Sequence, residues 1–286
     1  MENKKTKKDF IKKYSDIFVV VFIFLIITGI SIYVSFECDD ELWNFANIYK
    51  MTQGFTIYKD MNVIITPLFF FIGNIFLKLL GTNLLVFRIY NSVIYTTLLF
   101  LIYKIMTTMK IKKINALAYT LIIIFMLKIN IKGGANYTIL AMCFYLLGCL
   151  INLKYENKYL PYIQGIIGSA VFLIKQNIGV YYFVAIFLMH LFYALKEKNV
   201  KQEIIKFLKE IMSFLAIILV FMVSMIINGN FLEFIDLCFL GIGEFAFKNI
   251  SADPKGVIIA LVALASIVLS IYAMFSKNID KKNKEK

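Results

Sequence analysis

Apolar stretches of roughly 17–23 residues alternate with short charged connectors from end to end of this chain, and each is long enough to form a membrane-crossing helix. The stretches lie near 17–36, 84–106, 114–131, 137–153, 159–174, 178–195, 210–228 and 256–275. They predict an all-α polytopic membrane bundle of about eight spans that occupies residues 1–286 as a single domain. Composition agrees: 60% of the residues are hydrophobic, against about 45–50% in soluble domains. Three prolines in 286 residues leave the apolar runs almost uninterrupted.

The net charge of +13 does not point to nucleic acid. The lysines are spread between the spans and over both tails, whereas a nucleic-acid site needs one continuous basic face. Basic residues beside spans are instead the usual mark of the cytoplasmic side. The first stretch, 16–36, is too long for a signal-peptide core and has no small-residue cleavage site after it, so it is expected to stay as an anchor. Cys143 and Cys149 share one helix and read as small hydrophobes. Cys38 and Cys238 fall on the outer side, where a bridge is possible but spacing alone fixes no geometry. His190, the only histidine, lies inside a span and reads as an interhelical hydrogen bonder.

The segment 63–80 decides the topology. Thr66-Pro67 reads as a helix start, with Thr66 as N-cap and Pro67 in the first turn. A helix from Pro67 to Leu80 is about 21 Å long, short of a hydrocarbon core of ~30 Å. If it does not cross, 22 of the 31 Lys and Arg residues are cytoplasmic; if it does, only 13 are. The positive-inside rule selects the first arrangement, with both termini cytoplasmic in the plasma membrane. The outer face then carries a long first loop, 37–83, containing juxtamembrane helices, and a second loop, 229–255.

The first loop opens with Glu37-Cys38-Asp39-Asp40-Glu41-Leu42-Trp43-Asn44. Asp39 is placed to cap a helix on which Leu42, Phe45, Ala46 and Tyr49 form an apolar stripe toward the membrane. Asp40, Asn44 and Asn47 share the opposite face and point together just above the bilayer. Acids at a helix N-terminus are also favoured by the helix dipole alone.

The ordered series of residues resembles a known family. Asp40-Glu41-Leu42-Trp43-Asn44-Phe45, then Gly54, Tyr58-Lys59-Asp60, Thr66-Pro67-Leu68-Phe69 and Phe87-Arg88 resemble the N-terminal half of the GT-C superfamily of membrane glycosyltransferases. The likeness is to the group of protein O-mannosyltransferases and lipid A aminoarabinose transferases. Gly165 to Asn177, with Lys175-Gln176, resembles that group's glycine-bearing span, and 234–243 resembles a later outer-loop element of bacterial members. The resemblance implies transfer of a sugar from a polyprenyl-phosphate carrier to an envelope glycan, lipid or protein acceptor outside the membrane. It also implies inversion at the anomeric carbon, a general base at Asp40, and Asp39 and Glu41 beside it as further acids. A base must come within hydrogen-bond reach of the acceptor.

The leaving phosphate calls for outward cations, and Arg88, Lys175 and Lys59 are the expected ones. Arg88 and Lys175 sit at span ends, where snorkelling to headgroups is the competing explanation. Trp43, Asn44, Asn47, Tyr58, Asp60 and Gln176 are expected to line the acceptor and sugar site. Glu233 and Asp236 belong either to an acceptor groove or to the wet face of an interfacial helix. No cofactor and no metal are expected, because no outward cluster has ligand spacing, although the adjacent acids at 39–41 leave a weak divalent site open. The chain is shorter than members of the group, and 131–137 lacks an acid often found there. A non-catalytic lipid-binding remnant or subunit is therefore an alternative. A transporter or flippase is a weaker one, since no internal repeat is visible.

Overall fold

The computed structural model describes the backbone of residues 2–33 and 39–241, with side chains from residue 15 onward except Glu197. The expected span at 256–275, Cys38 and the part of the second outer loop beyond residue 241 lie outside the described residues. The chain divides into two compact units, residues 1–237 and 238–286. The helices described below belong to the first.

The regular elements among the described residues are all helices, with no strand among them. In chain order the helices are α1 (Glu2–Ile32), α2 (Asp39–Thr52), α3 (Leu68–Leu80), α4 (Leu84–Thr108), α5 (Lys113–Met126) and α6 (Lys128–Lys132). They continue with α7 (Tyr137–Lys154), α8 (Leu160–Ile174), α9 (Gln176–Glu197), α10 (Val200–Ile227) and α11 (Phe231–Ile235). Five of them, α1 from Ser15, α4, α7, α9 and α10, are long and apolar enough to cross a membrane, which marks the chain as a membrane protein. Exposed Phe18, Leu25, Leu219 and Val220 on α1 and α10 fit a lipid-facing surface.

Several boundaries fall where hydropathy puts them: α4, α7, α8 and α9 start within two residues of the expected spans. Others differ. The stretch 114–131 is broken at Leu127 (φ −86°, ψ 3°) into α5 and the single turn α6. The break lets Ile131 enter the core while its carbonyl accepts from the Asn91 side chain at 2.8 Å. Helix α10 begins at Val200, ten residues before the expected 210. Asn199 caps it by accepting from Gln202 N, and Glu203 in its first turn is buried against α9. Thr66 does not cap α3. Pro67 occupies the cap position, and the Thr66 hydroxyl instead donates to the Phe172 carbonyl at 2.7 Å.

Contacts sort the helix ends into two groups. Asp16 of α1 meets Lys104 of α4 at 2.6 Å and Lys113 of α5 at 3.3 Å, while Ile32 at the other end of α1 meets Arg88 near the start of α4. Helices α1 and α4 are therefore antiparallel. Phe69 and Phe76, near the two ends of α3, both lie against Tyr90 of α4. Helix α3 thus stays at the Arg88 end, together with α2, the 131–138 turn, the α8–α9 junction and the end of α10. Its Gly73 backbone rests on the Ile48 side chain of α2.

A core of Ile23 and Ile27 (α1), Tyr95 and Leu99 (α4), Ile124 (α5) and Ile131 (α6) joins the first half of the bundle. In the second half α8 and α10 approach through Gly165, whose missing Cβ would collide with Ser213 and the Glu210 carbonyl. Only glycine permits backbones to come so near, a usual device where helices meet in lipid.

Candidate functional site

The acidic first turn of α2 stands at the positive end of a helix dipole, which favours carboxylates there. The three acids do different things. Asp39 and Asp40 are exposed, whereas Glu41 turns inward and retains only 1% of its surface. Arg88 Nε donates to Glu41 Oε1 at 3.1 Å, and its terminal nitrogen donates to Oε2 at 3.4 Å, so the guanidinium fork grips the carboxylate. Gly134 (φ +81°) lies directly against the Glu41 side chain, in a backbone conformation other residues rarely adopt.

The amides expected to face outward face the protein instead. Asn44 Nδ2 donates to the Ala135 carbonyl at 3.0 Å, and Asn47 Nδ2 to the Trp43 carbonyl at 2.9 Å. Asn44 and Asn47 are buried, while Leu42 and Tyr49 are exposed. In a membrane protein the apolar stripe of an amphipathic helix suits lipid, and buried amides bond backbone that has lost water. Here that backbone is the 131–136 turn, held by Asn44 on one side and Asn91 on the other. Trp43 rests edge-on against Phe70, 5.7 Å between centroids.

Lys175 occupies an extended residue (φ −154°, ψ 110°) between α8 and α9. Its Nζ donates to Thr138 Oγ1 at 2.8 Å and lies 4.9 Å from the centre of the Tyr137 ring. Half-burial there pulls the ammonium below the ordinary lysine value, and the negative charge of Asp40 opposes that shift. The structure therefore brings Asp40 and Lys175, 135 positions apart in the chain, into one electrostatic neighbourhood. Tyr137 and Thr138 complete it. Nothing in their local sequence marks them; they are placed by the turn that α2 holds.

The other expected residues gather on the loop after α2. Tyr58 is buried with a left-handed backbone (φ 71°), anchored by its hydroxyl donating to the Ile65 carbonyl at 2.9 Å and by its ring against Phe234 of α11. Asp60 accepts from Thr56 N at 2.7 Å, which closes the turn, and Gln176 Nε2 donates to the Ile64 carbonyl at 3.3 Å. Asn230 Nδ2 donates to the Ile57 carbonyl at 3.1 Å, so the two segments assigned to the outer face do touch. An open cavity of about 380 Å³ lies between them, lined by Tyr58 to Asn62 with Glu233, Asp236 and Leu237. Lys59 and Asp60 are part of its wall, whereas Asp40, Lys175 and Arg88 are not.

Chemically, this end of the molecule offers an exposed carboxylate near a half-buried ammonium, and an acidic cavity with one lysine beside the same loop. The first can accept a proton and bind an anion; the second suits a polar or cationic group. No group of His, Cys, Asp and Glu among the described residues is arranged to hold a metal ion. Comparisons with protein families, with characterised proteins and with solved structures found no match to this chain.

Proposed function

We propose that the chain is a membrane glycosyltransferase of the GT-C type, moving a sugar from a polyprenyl-phosphate donor to an acceptor on the outer side of the cytoplasmic membrane. The observation that carries this reading is the placement of Lys175, half-buried against Thr138 and the Tyr137 ring and within electrostatic reach of the exposed Asp40 carboxylate. Lys175 binds the donor phosphate and offsets its charge as the glycosidic oxygen departs. Asp40 takes the proton from the acceptor hydroxyl or amine as that atom attacks the anomeric carbon from the opposite face, giving inversion. Glu41 holds Arg88 and sets the position of α2, and Lys59, Asp60 and Tyr58 belong to the acceptor side, where the cavity lies. The reading includes eight spans with both termini cytoplasmic. The α3 helix that returns to the Arg88 end, and the contact between the loops at Ile57 and Asn230, support it.

A second reading keeps the lipid site without the chemistry: a subunit or remnant that binds the polyprenyl lipid. The cavity stands apart from Asp40 and Lys175, and Arg88 is engaged by Glu41, which favours this alternative. One experiment separates the two. Purified protein in lipid is given a polyprenyl-phosphate sugar, and binding and sugar release are followed in wild type, Lys175→Ala and Asp40→Asn. Binding lost in Lys175→Ala, with turnover lost in Asp40→Asn at unchanged binding, supports the transferase. Binding without turnover in wild type selects the subunit, and absence of binding rejects both.

A further inference from the structure

At the opposite end of the bundle the last turns of α9 and the first turns of α10 enclose a charged cluster that sugar transfer does not use. His190 Nδ1 lies 2.7 Å from Glu203 Oε2, and its Nε2 lies 3.1 Å from Glu210 Oε2. Lys206 Nζ donates to the other oxygen of Glu203 at 2.6 Å. His190, Glu203 and Glu210 are 7%, 4% and 2% exposed. The acids are seven positions apart, two helical turns, so both point from one face of α10 toward the ring between them.

The geometry constrains the protons. A neutral imidazole has one N–H and one bare nitrogen. With both ring nitrogens against carboxylate oxygens, a bare nitrogen would set a lone pair against an acceptor in a buried site, which is costly. Two hydrogen bonds need one more proton, on the ring or on a carboxyl. Imidazole is the stronger base by about two pH units in reference compounds, and Glu203 already accepts from Lys206. The proton belongs on the ring. One imidazolium, two carboxylates and one ammonium then sum to zero, the condition under which charges persist inside a membrane protein.

We propose that His190 is an imidazolium clamped between Glu203 and Glu210, a proton-dependent lock that joins α9 to α10 at the end of the bundle away from Lys175. Among the described residues, the remaining neighbours do not supply a competing charge. Lys209 of α10 lies over the Tyr162 ring of α8, 5.8 Å from its centre. Tyr182, two turns earlier on α9, faces Glu210 but is engaged by the Gln164 side chain of α8. Tyr145 and Cys149 of α7 lie behind Tyr182. The lock stabilises the hairpin while the ring keeps its second proton and is lost as pH rises and that proton leaves. The inference is independent of the sugar-transfer reading.

Because His190 is the only histidine, ¹⁵N-histidine labelling of an untagged chain reports its state without assignment. At about pH 7 both ring nitrogens should carry protons in wild type, and Glu210→Gln should leave one bare. Thermal unfolding in detergent should fall more steeply with rising pH in wild type than in His190→Gln, which keeps a polar group between the acids. If His190→Gln does not fold, Glu210→Gln supplies the same comparison. One bare nitrogen in wild type at about pH 7 would place the proton on a carboxyl and overturn the proposal. Equal pH slopes in wild type and variant would do the same.

Discussion

Replacing Arg88 with Met tests whether Glu41 and Arg88 form a structural pair or a ligand-binding one. The side chains are 8% and 1% exposed for Arg88 and Glu41, so solvent screens their attraction little. Met fills much of the aliphatic volume of Arg but leaves the Glu41 carboxylate buried with neither fork nitrogen. Breaking a buried pair from one side costs about 3–5 kcal/mol, chiefly because the abandoned charge stays desolvated. Removing both charges, as in Glu41→Leu/Arg88→Met, should cost far less, since apolar replacements of buried pairs are often neutral or better. The lost hydrogen bond to the Ile32 carbonyl at 3.4 Å keeps the double variant from full recovery. Reversible unfolding in mixed micelles across the four proteins gives the coupling energy directly. If Arg88→Met lies within about 0.5 kcal/mol of wild type, or the two changes simply add, the pair is not what positions α2. Loss of donor binding without loss of stability in Arg88→Met would move Arg88 to the phosphate site.

Further outcomes follow from particular residues. In Lys175 the burial that disfavours the ammonium makes the unfolded state bind more protons on the alkaline side, so wild-type stability should rise with pH toward the ordinary lysine value. Donor affinity should fall over the same window, whereas Lys175→Arg, charged throughout, should hold a flat affinity profile; matching profiles would refute the charge role. Gly165→Ala forces a methyl between α8 and α10 and should destabilise by about 1–3 kcal/mol in the same unfolding assay. Asn91→Ala removes the donor shared by the Ile131 carbonyl and Ser31 Oγ, and should cost about 1–3 kcal/mol. With the native cysteines replaced, Asn62→Cys and Lys158→Cys should react with an impermeant maleimide from opposite sides of the membrane; labelling from the same side would defeat the proposed topology.

Sequence alone determined that this is a helical membrane protein, and where several of its helices begin. That information is local, because a helix satisfies its backbone within itself and apolar length sets whether it can cross lipid. Leu84, Tyr137, Leu160 and Gln176 open helices close to where the hydropathy changes. What only the tertiary structure decided is which way polar side chains turn. Asn44 and Asn47 read as an outward face because their helix is amphipathic, yet they turn inward, Asn44 to meet a carbonyl 91 residues away. Glu41 and Asp40 are adjacent in sequence and opposite in environment, one locked to Arg88 and the other open beside Lys175. Glu203 and Lys206 resemble a hydrophilic connector, but α10 includes them because His190 receives Glu203 inside the bundle. In lipid a polar group without water must find a partner, and the partner is chosen by the fold, across separations that no local pattern records.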